Sequence, residues 1–125
     1  MNIPQGYQAV MPYLILKNAD KFIDFTQKVF GAKVMNKYLR EDGHALMHAE
    51  VNISGSVITF AESTERYGVQ TANLFVYVEN ADETYAAALK NGATSVNEPA
   101  DQDYGRSAGV KDMNGNTWWI TSVAK

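Results

Sequence analysis

The sequence predicts an α+β fold built from two tandem βαβββ modules, and an internal repeat is the main observation behind this prediction. The tripeptide Asn18-Ala19-Asp20 recurs as Asn80-Ala81-Asp82, 62 residues later, and Gly31-Ala32 recurs as Gly92-Ala93, 61 residues later. Landmarks that keep their order at a nearly constant offset indicate a duplicated structural unit. Within each half, a short strand pattern, an amphipathic helix pattern and further strand patterns follow one another.

The length and the joining segment predict one domain. A chain of 125 residues is long enough to bury its own core. No linker or low-complexity tract separates the halves, so we expect them to share that core. The predicted domain spans residues 1–125, with module 1 at about residues 7–63 and module 2 at about residues 71–125.

The charge and composition exclude several classes of partner and chemistry. The net charge of −3 argues against nucleic acid and against an anionic membrane as partners, because both attract clustered Lys and Arg. There is no run of about 18 apolar residues and no secretory pattern among the first residues, so we expect a cytoplasmic protein. The absence of cysteine excludes disulfides, thiolate nucleophiles and Cys-ligated zinc.

Module 1 opens with an apolar run from Val10 to Leu16. Because Pro12 lies inside this run, an edge or bulged strand is expected. Asn18 then offers a helix cap, and Gly31 supplies a left-handed stop after an amphipathic stripe. The stripe consists of Phe22, Phe25, Val29 and Phe30.

The hydrophobic period changes to two between His44 and Glu62, which predicts strands. One predicted face carries Met47, Ala49, Val51 and Ile53. The other carries His44, Leu46, His48 and Glu50. Ser54-Gly55 is typical of a turn between two such strands.

Module 2 repeats this order with clearer signals. A strand pattern alternates Leu74, Val76 and Val78 with Asn73, Phe75 and Tyr77. Asn80 and Glu83 resemble a capping box, and a helical stripe of Tyr85, Ala88 and Leu89 ends at Gly92.

The final third of module 2 predicts a loop and two strands. Asp101 to Gly109 is polar and glycine-bearing, which favours a loop, and Val110 to Asp112 is expected to form a short strand. Asn114-Gly115 is a strong signal for a two-residue hairpin turn. Thr117 to Val123 then forms the last predicted strand.

The doubled unit resembles the vicinal oxygen chelate superfamily, which includes glyoxalase I, bleomycin-resistance proteins and extradiol dioxygenases. Phe25 to Gly31 closes the first helix as in that family. Residues 104–120, YGRSAGVKDMNGNTWWI, are similar to the pattern Arg-Ser-Gly-x-x-x-Asp-Pro-x-Gly-Asn-x-Trp of its small members, with Met113 replacing the usual Pro. The resemblance implies U-shaped mixed sheets with helices on the convex face. It also implies a small-molecule ligand on the concave face and assembly into homodimers.

The resemblance further implies four metal-ligand positions, which catalytic members use to bind one divalent ion. These positions carry Met11 or Pro12, Thr59, Asn73 and Trp119. None is a usual ligand of a catalytic transition metal, and an indole offers only an N–H. Shifting the alignment by one residue would place Ile58, Phe60, Leu74 and Trp118 or Ile120 at these positions, and none of them is a metal ligand. Only a shift of two residues would place Glu62 or Tyr77 there. We therefore predict no metal, no cofactor and no catalytic residue, and we lean against enzymatic activity.

The two histidines do not form a metal pair in this interpretation. His44 and His48 point the same way on one strand, but their Cα atoms would lie about 13 Å apart at the usual rise per residue. We expect them to be surface or pocket histidines bonded to neighbours such as Glu50. A role for His48 as a base-like pocket residue or a ligand remains open.

We predict that a ligand is held by aromatic and neutral polar side chains instead. The candidate binding residues are His48, Thr59, Asn73, Phe75, Tyr77, Tyr104, Arg106 and Trp119. Alternatively, the rings fill the cup as core.

Separate roles are predicted for three nearby residues. Arg106 either clamps an anion or forms a salt bridge to Asp101, Asp103 or Asp112. Trp118 is expected in the core on the opposite face, and Asp112 is expected to shape the turn after it.

Three functions fit the sequence. The first is a metal-independent protein that binds or sequesters a small aromatic or amphiphilic molecule in the grooves of a homodimer. The second is a metal-dependent lyase, isomerase or dioxygenase whose ligands lie elsewhere in the chain. The third is a scaffold with a filled cavity, whose dimer surface is the functional part.

Overall fold

The computed structural model describes residues 1–41, 43 and 45–124, so the expectation for His44 lies outside the described residues. Module 1 consists of β1 (Tyr13–Leu16), α1 (Ala19–Phe30), β2 (Lys33–Leu39), β3 (Leu46–Ile53) and β4 (Ser56–Glu62). Module 2 consists of β5 (Asn73–Tyr77), α2 (Ala81–Lys90), β6 (Thr94–Gln102), β7 (Gly105–Lys111) and β8 (Thr117–Ser122). The predicted α+β fold of two tandem βαβββ modules is confirmed.

Each module forms its own four-stranded mixed sheet. Sheet A has the order β1-β4-β3-β2, and sheet B has the equivalent order β5-β8-β7-β6. β1 runs parallel to β4 and β5 runs parallel to β8, whereas the other neighbours are antiparallel. β1 is an edge strand, as the sequence predicts, but it begins directly after Pro12 rather than including it, and there the missing N–H of Pro12 costs no ladder hydrogen bond.

Helix α1 lies between the two sheets and provides most of the aromatic core. The Phe22 ring is fully buried, with its centroid 4.8 Å from that of Phe60 in sheet A and 6.1 Å from that of Trp118 in sheet B. Phe30 contacts the same indole at 4.6 Å. Helix α2 packs beside α1 and against sheet B. Trp118 is therefore part of the core, as predicted. Neither helix in the described part of the chain has the length and apolar character needed to span a bilayer.

Because the helices occupy the space between the sheets, the other face of each sheet points away from the molecule. We call the outer face of sheet A half-cup A; it carries Tyr13, His48, Glu50 and Thr59. We call the outer face of sheet B half-cup B; it carries Asn73, Phe75, Tyr77 and Trp119. The two half-cups of one chain therefore face in opposite directions.

The last strand of each module caps the helix of that module. The Glu62 carboxylate accepts hydrogen bonds from the backbone N–H groups of Asn18 and Ala19, at 2.9 and 2.8 Å. At the equivalent place in module 2, the Ser122 hydroxyl accepts one from Ala81 N–H at 3.0 Å. An acceptor at a helix N-terminus satisfies free N–H groups and the positive end of the helix dipole.

The two predicted asparagine caps have different outcomes. Asn80 accepts from Glu83 N–H at 3.0 Å, which confirms that cap. Asn18 occupies the N-cap position in a left-handed conformation, and its side chain makes no capping hydrogen bond. That prediction is wrong for the side chain because Glu62, which is distant in sequence, supplies the acceptor.

The face assignment at the start of β3 is also wrong. Leu46 is buried, whereas 53% of Met47 is exposed. The pairing of β2 with β3 shifts register between Tyr38 and Leu39, which inserts an extra residue and reverses the alternation. Beyond the shift, Ala49 and the following alternate residues face the core as predicted.

The region predicted as a loop from Asp101 to Gly109 is largely strand. β6 continues to Gln102, and β7 begins at Gly105 after a tight turn at residues 103–104. Asn114-Gly115 does not form a two-residue hairpin. It belongs to a longer connection that is closed by the Asp112 N–H to Asn116 oxygen bond at 2.9 Å.

The buried Asp112 carboxylate organises that connection, and its predicted role in the turn is confirmed. It accepts hydrogen bonds from Asn114 N–H at 3.0 Å, Asn116 N–H at 2.9 Å and the Trp118 indole N–H at 2.8 Å. Asn114 then donates from its amide to the oxygens of Lys17 and Asn18 in module 1, at 2.9 and 3.0 Å. The carboxylate thereby joins the turn, the core indole and the other module.

Replacing Asp112 with Ala should lower the free energy of unfolding by about 3 kcal/mol, because several buried donors lose a charged acceptor at once. Chemical denaturation at neutral pH measures this. Asp103→Ala, at an exposed turn of the same module, should change it by less than about 0.5 kcal/mol. Equal effects of the two substitutions would contradict the assigned role.

Candidate functional site

The indole of Trp119 forms the floor of half-cup B. Trp119 pairs across the sheet with Gly109 of β7, and a Cβ added at Gly109 would lie 2.7 Å from the ring. The ring therefore rests on a strand position that only glycine leaves open. Its N–H donates to the Asn73 side-chain oxygen on β5 at 3.2 Å. The backbone on one side and the amide on the other thus fix the ring orientation.

Three further aromatic rings stand beside this floor. Phe75 contacts Tyr77 with centroids 5.2 Å apart and Tyr104 with centroids 6.2 Å apart. Each of the three is more than half exposed. A cavity of about 540 Å³ opens next to them, lined by Trp119, Tyr104 and polar groups of β6 and β7. Half-cup B is therefore an open aromatic surface rather than a filled core.

Half-cup A carries a polar cluster centred on Glu50. One carboxylate oxygen accepts from the Tyr7 hydroxyl and from the Asn36 amide, the latter at 2.9 Å. The other oxygen lies 2.8 Å from the His48 Nε2 atom. The His48 ring is flanked by Tyr13 and Tyr38, with centroids 5.9 and 6.2 Å away. The expected bond between His48 and Glu50 is confirmed.

The contacts in this cluster shift the pKa values of Glu50 and Tyr7. Burial would raise the pKa of the Glu50 carboxyl, but the hydrogen bonds from Tyr7, Asn36 and His48 outweigh it and lower that pKa below the usual value of 4.5. The hydrogen bond to Glu50 is the main cause of a raised pKa at the Tyr7 hydroxyl. Glu50 is therefore an anion at neutral pH, and Tyr7 holds the N-terminal segment against it.

The four positions implied as metal ligands satisfy one another in neutral pairs. The Thr59 hydroxyl donates to the Pro12 carbonyl oxygen at 2.6 Å, and the Trp119 indole donates to Asn73. A hydroxyl, an amide and an indole N–H do not fit a divalent transition metal, which needs deprotonated nitrogen or oxygen donors. Within residues 1–41, 43 and 45–124, no three His, Cys, Asp or Glu side chains are grouped to hold a metal ion. Glu62, the displaced candidate, is bonded to the N-terminus of α1.

Arg106 lies in strand β7 rather than in a loop at the mouth of the pocket. Its guanidinium binds both oxygens of Asp82 at 2.6 and 3.0 Å, and Asp101 at 3.1 Å. The hydrogen bond from Arg106 lowers the pKa of the Asp82 carboxyl. Arg106 pairs with Ser122, whose hydroxyl caps α2, so it lies on the helix side of sheet B. The salt-bridge alternative is the one observed, with Asp82 as an additional partner.

The structure thus divides the predicted site residues into three groups. Half-cup B brings together Asn73, Phe75, Tyr77, Tyr104 and Trp119. Half-cup A holds His48 and Thr59, and Arg106 lies on neither. Sequence reasoning missed Tyr7 and Asn36 as partners of Glu50, because nothing in their spacing shows that three separate segments meet on one sheet.

The family of the chain follows from comparison with known sequences. A sequence model of the Glyoxalase/Bleomycin resistance protein/Dioxygenase superfamily matches residues 8–120. The chain belongs to this superfamily. The resemblance seen in the repeat and in the closing segment is thereby confirmed.

Relatives of this glyoxalase-superfamily chain include curated proteins and solved structures. Uncharacterized protein Mb0911c of Mycobacterium bovis is 28% identical over 122 residues, covering 88% of this chain and 80% of that protein. The crystal structure of TnmS3, an antibiotic binding protein from Streptomyces sp. CB03234, matches with a TM-score of 0.70 and 16% identity, covering 94% of this chain and 100% of the other. The fosfomycin resistance protein FosX from Listeria monocytogenes matches with a TM-score of 0.74 and 18% identity, covering 94% of each chain. At these identities the two structures establish the fold.

Gly109→Ala should displace the Trp119 ring, because the new Cβ would lie 2.7 Å from it. We expect a loss of about 1–3 kcal/mol in unfolding free energy and a red shift of Trp119 emission, measured in a Trp118→Phe background. Gly68→Ala is the matched control, since nothing lies within 4 Å of its added Cβ. An unchanged emission spectrum in Gly109→Ala would mean that the ring does not rest on this strand.

Glu50→Gln should remove a pH-dependent part of stability. Because the folded pKa is lowered, the Glu50 contribution is complete above the unfolded value and is lost as the pH falls through the folded value. The difference in unfolding free energy between wild type and Glu50→Gln should be about 1–2 kcal/mol at pH 7 and should shrink below about pH 4.5. Denaturation at several pH values measures it, with exposed Glu98→Gln as control. A difference that stays constant with pH would contradict this account.

Proposed function

We propose that this protein is a metal-independent binding protein that sequesters a small aromatic or amphiphilic molecule in the grooves of a homodimer. It uses shape and ring stacking in place of a Lewis-acidic ion. The proposal includes a cytoplasmic location.

The observation behind the proposal is the Trp119 platform. The family resemblance implies a metal-ligand position at Trp119, yet the Trp119 ring is held in place by Gly109 and Asn73 and remains accessible. A rigid ring of this kind offers a stacking surface at little cost in side-chain entropy. The exposed rings of Phe75, Tyr77 and Tyr104 extend the same surface, and exposed apolar patches of this kind mark binding sites.

The orientation of the half-cups supports the homodimer. Since α1 lies between the sheets, one chain cannot bring its own two half-cups together. A two-fold axis between two chains would place half-cup A of each chain opposite half-cup B of the other. The dimer would then have two equivalent composite cups. Each composite cup would then enclose a ligand that either half alone leaves open to solvent.

Two structural neighbours support this class of function without specifying the ligand. TnmS3 is described as an antibiotic binding protein and FosX as a fosfomycin resistance protein. The open cavity of about 540 Å³ beside Trp119 lies in the range that holds a drug-sized molecule. It also counts against the filled-scaffold alternative.

Trp119→Ala should weaken binding of N-phenyl-1-naphthylamine, a neutral aromatic fluorophore, by about tenfold to a hundredfold, because one stacking partner is lost. The rise in probe emission on titration gives the affinity. In a Trp118→Phe background Trp119 is the remaining indole, so probe binding should also quench its emission.

Leu89→Ala, which shortens an exposed side chain on α2, is the matched control and should bind as wild type does. Circular dichroism verifies that each variant is folded. Wild-type affinity in folded Trp119→Ala, or no binding of the probe by the unmodified protein, would refute the proposal.

A further inference from the structure

We infer that half-cup A recognises an oxyanion on the ligand, with Arg40 and Arg66 as the recognition residues. The ligand is then an aromatic acid, with its ring on half-cup B and its carboxylate, sulfonate or phosphonate on half-cup A. This inference rests on the proposed function and specifies its ligand class.

The site is a cavity of about 550 Å³ at one end of half-cup A. Its apolar wall is formed by Tyr13, Ile15, Met47, Ala61 and Tyr67, and the two arginines also line it. Its size matches a small-molecule site, and a few charged groups in an apolar wall are typical of such sites.

Both guanidinium groups retain donors for a ligand. Arg40 donates from Nη2 to the backbone oxygen of Glu62 at 2.8 Å, which anchors the side chain without neutralising it. The Arg66 Cζ atom lies 5.2 Å from the centre of the Tyr67 ring. Among the described residues, the ion pairs of Lys and Arg side chains involve Lys28 and Arg106, and none involves Arg40 or Arg66. A guanidinium has five N–H donors in a geometry that matches oxyanions.

The acidic groups of this half-cup are already engaged elsewhere. Glu62 lines the cavity, but its carboxylate binds the N-terminal N–H groups of α1. Glu50 is held by Tyr7, Asn36 and His48. With two guanidinium groups and one carboxylate among its lining residues, the cavity carries a formal charge of +1 in a chain whose net charge is −3.

The segment that carries Arg66 is built into the sheet. Thr64 N–H donates to Tyr67 oxygen at 2.8 Å, and Tyr67 N–H donates to the Thr64 hydroxyl at 2.9 Å, which closes a turn around Arg66. Gln70 and Ile15 exchange two backbone hydrogen bonds, at 2.8 and 3.0 Å, which tie the segment to β1. Such a turn fixes the backbone from which the Arg66 side chain extends before a ligand arrives, which lowers the entropy cost of binding.

The two half-cups differ in charge. The cavity of half-cup B is lined by Asn97, Glu98, Gln102, Ser107 and Trp119, and it includes neither Lys nor Arg. The cavity beside the stacking surface therefore lacks a cation among its lining residues, whereas the cavity with two arginines lies in the other half of the proposed composite cup. A molecule with an aromatic ring at one end and an oxyanion at the other could contact the stacking surface of half-cup B and the arginines of half-cup A at the same time.

The test compares two probes that share one aromatic skeleton. 8-Anilinonaphthalene-1-sulfonate carries a sulfonate, whereas N-phenyl-1-naphthylamine lacks it. The wild-type protein should bind the sulfonate more tightly, and 0.5 M NaCl should reduce this preference. The double variant Arg40→Gln/Arg66→Gln should bind the sulfonate probe at least tenfold more weakly than wild type, and its affinity for the neutral probe should change less than twofold.

The control removes the same charge elsewhere. Lys21→Gln/Lys90→Gln, at exposed positions on the two helices, should bind both probes as wild type does. If the arginine double variant does not fold by circular dichroism, Arg66→Gln alone, in an exposed turn, should still weaken the sulfonate at least threefold.

The outcomes separate this inference from the proposed function. Binding of the neutral probe with no preference for the sulfonate, or with no effect of the arginine substitutions, overturns the inference and leaves the proposed function intact. If the lysine control loses as much affinity for the sulfonate probe as the arginine variant does, the overall charge of the protein attracts the probe. This outcome also overturns the inference. If neither probe binds, both are overturned.

Discussion

The packing of α1 between the two sheets determines how this molecule is organised. Phe22 contacts Phe60 on one side and Trp118 on the other, so the apolar face of a single helix joins both modules. Burial of these large rings is the dominant favourable term in a core of this size. Because that contact uses the inner face of each sheet, both outer faces remain available. The fold thus leaves two separate sheet faces open as candidate binding surfaces, as a direct result of how its core is filled.

Much of the fold could be predicted from the sequence because it depends on local patterns. The repeat located the modules, alternation located β5, and the aromatic stripe located α1. The errors arose where a distant residue decides a local outcome. Glu62 takes the capping role expected of Asn18, and a register shift against β2 exposes Met47 in place of Leu46. Both outcomes depend on residues that lie outside the short segment in which each sequence pattern is recognised.

In the candidate site too, the features that follow a local sequence pattern could be predicted, and those that depend on distant residues could not. The floor and aromatic wall of half-cup B could be predicted because Phe75 and Tyr77 alternate on one strand and Trp119 lies on its neighbour. Half-cup A could not, since Tyr7 and Asn36 reach Glu50 from separate segments. Arg106 is the opposite case, in which a residue with suitable chemistry is paired with Asp82 on the helix side. Residue type alone did not reveal which arginines have no carboxylate partner among the described residues.

The hydrogen bonds that close the helix of each module and join the two modules lie on the helix side of the sheets or in the connections, and this location has an evolutionary consequence. Glu62 and Ser122 close the helices, and Asp112 fixes the turn and the core indole, without using the floor of either half-cup. Most floor side chains are thereby released from the demands of folding and are free to diverge. A duplicated unit of this design can exchange one chemistry for another by substitutions on its outer faces, while selection for a stable core acts on a different set of positions.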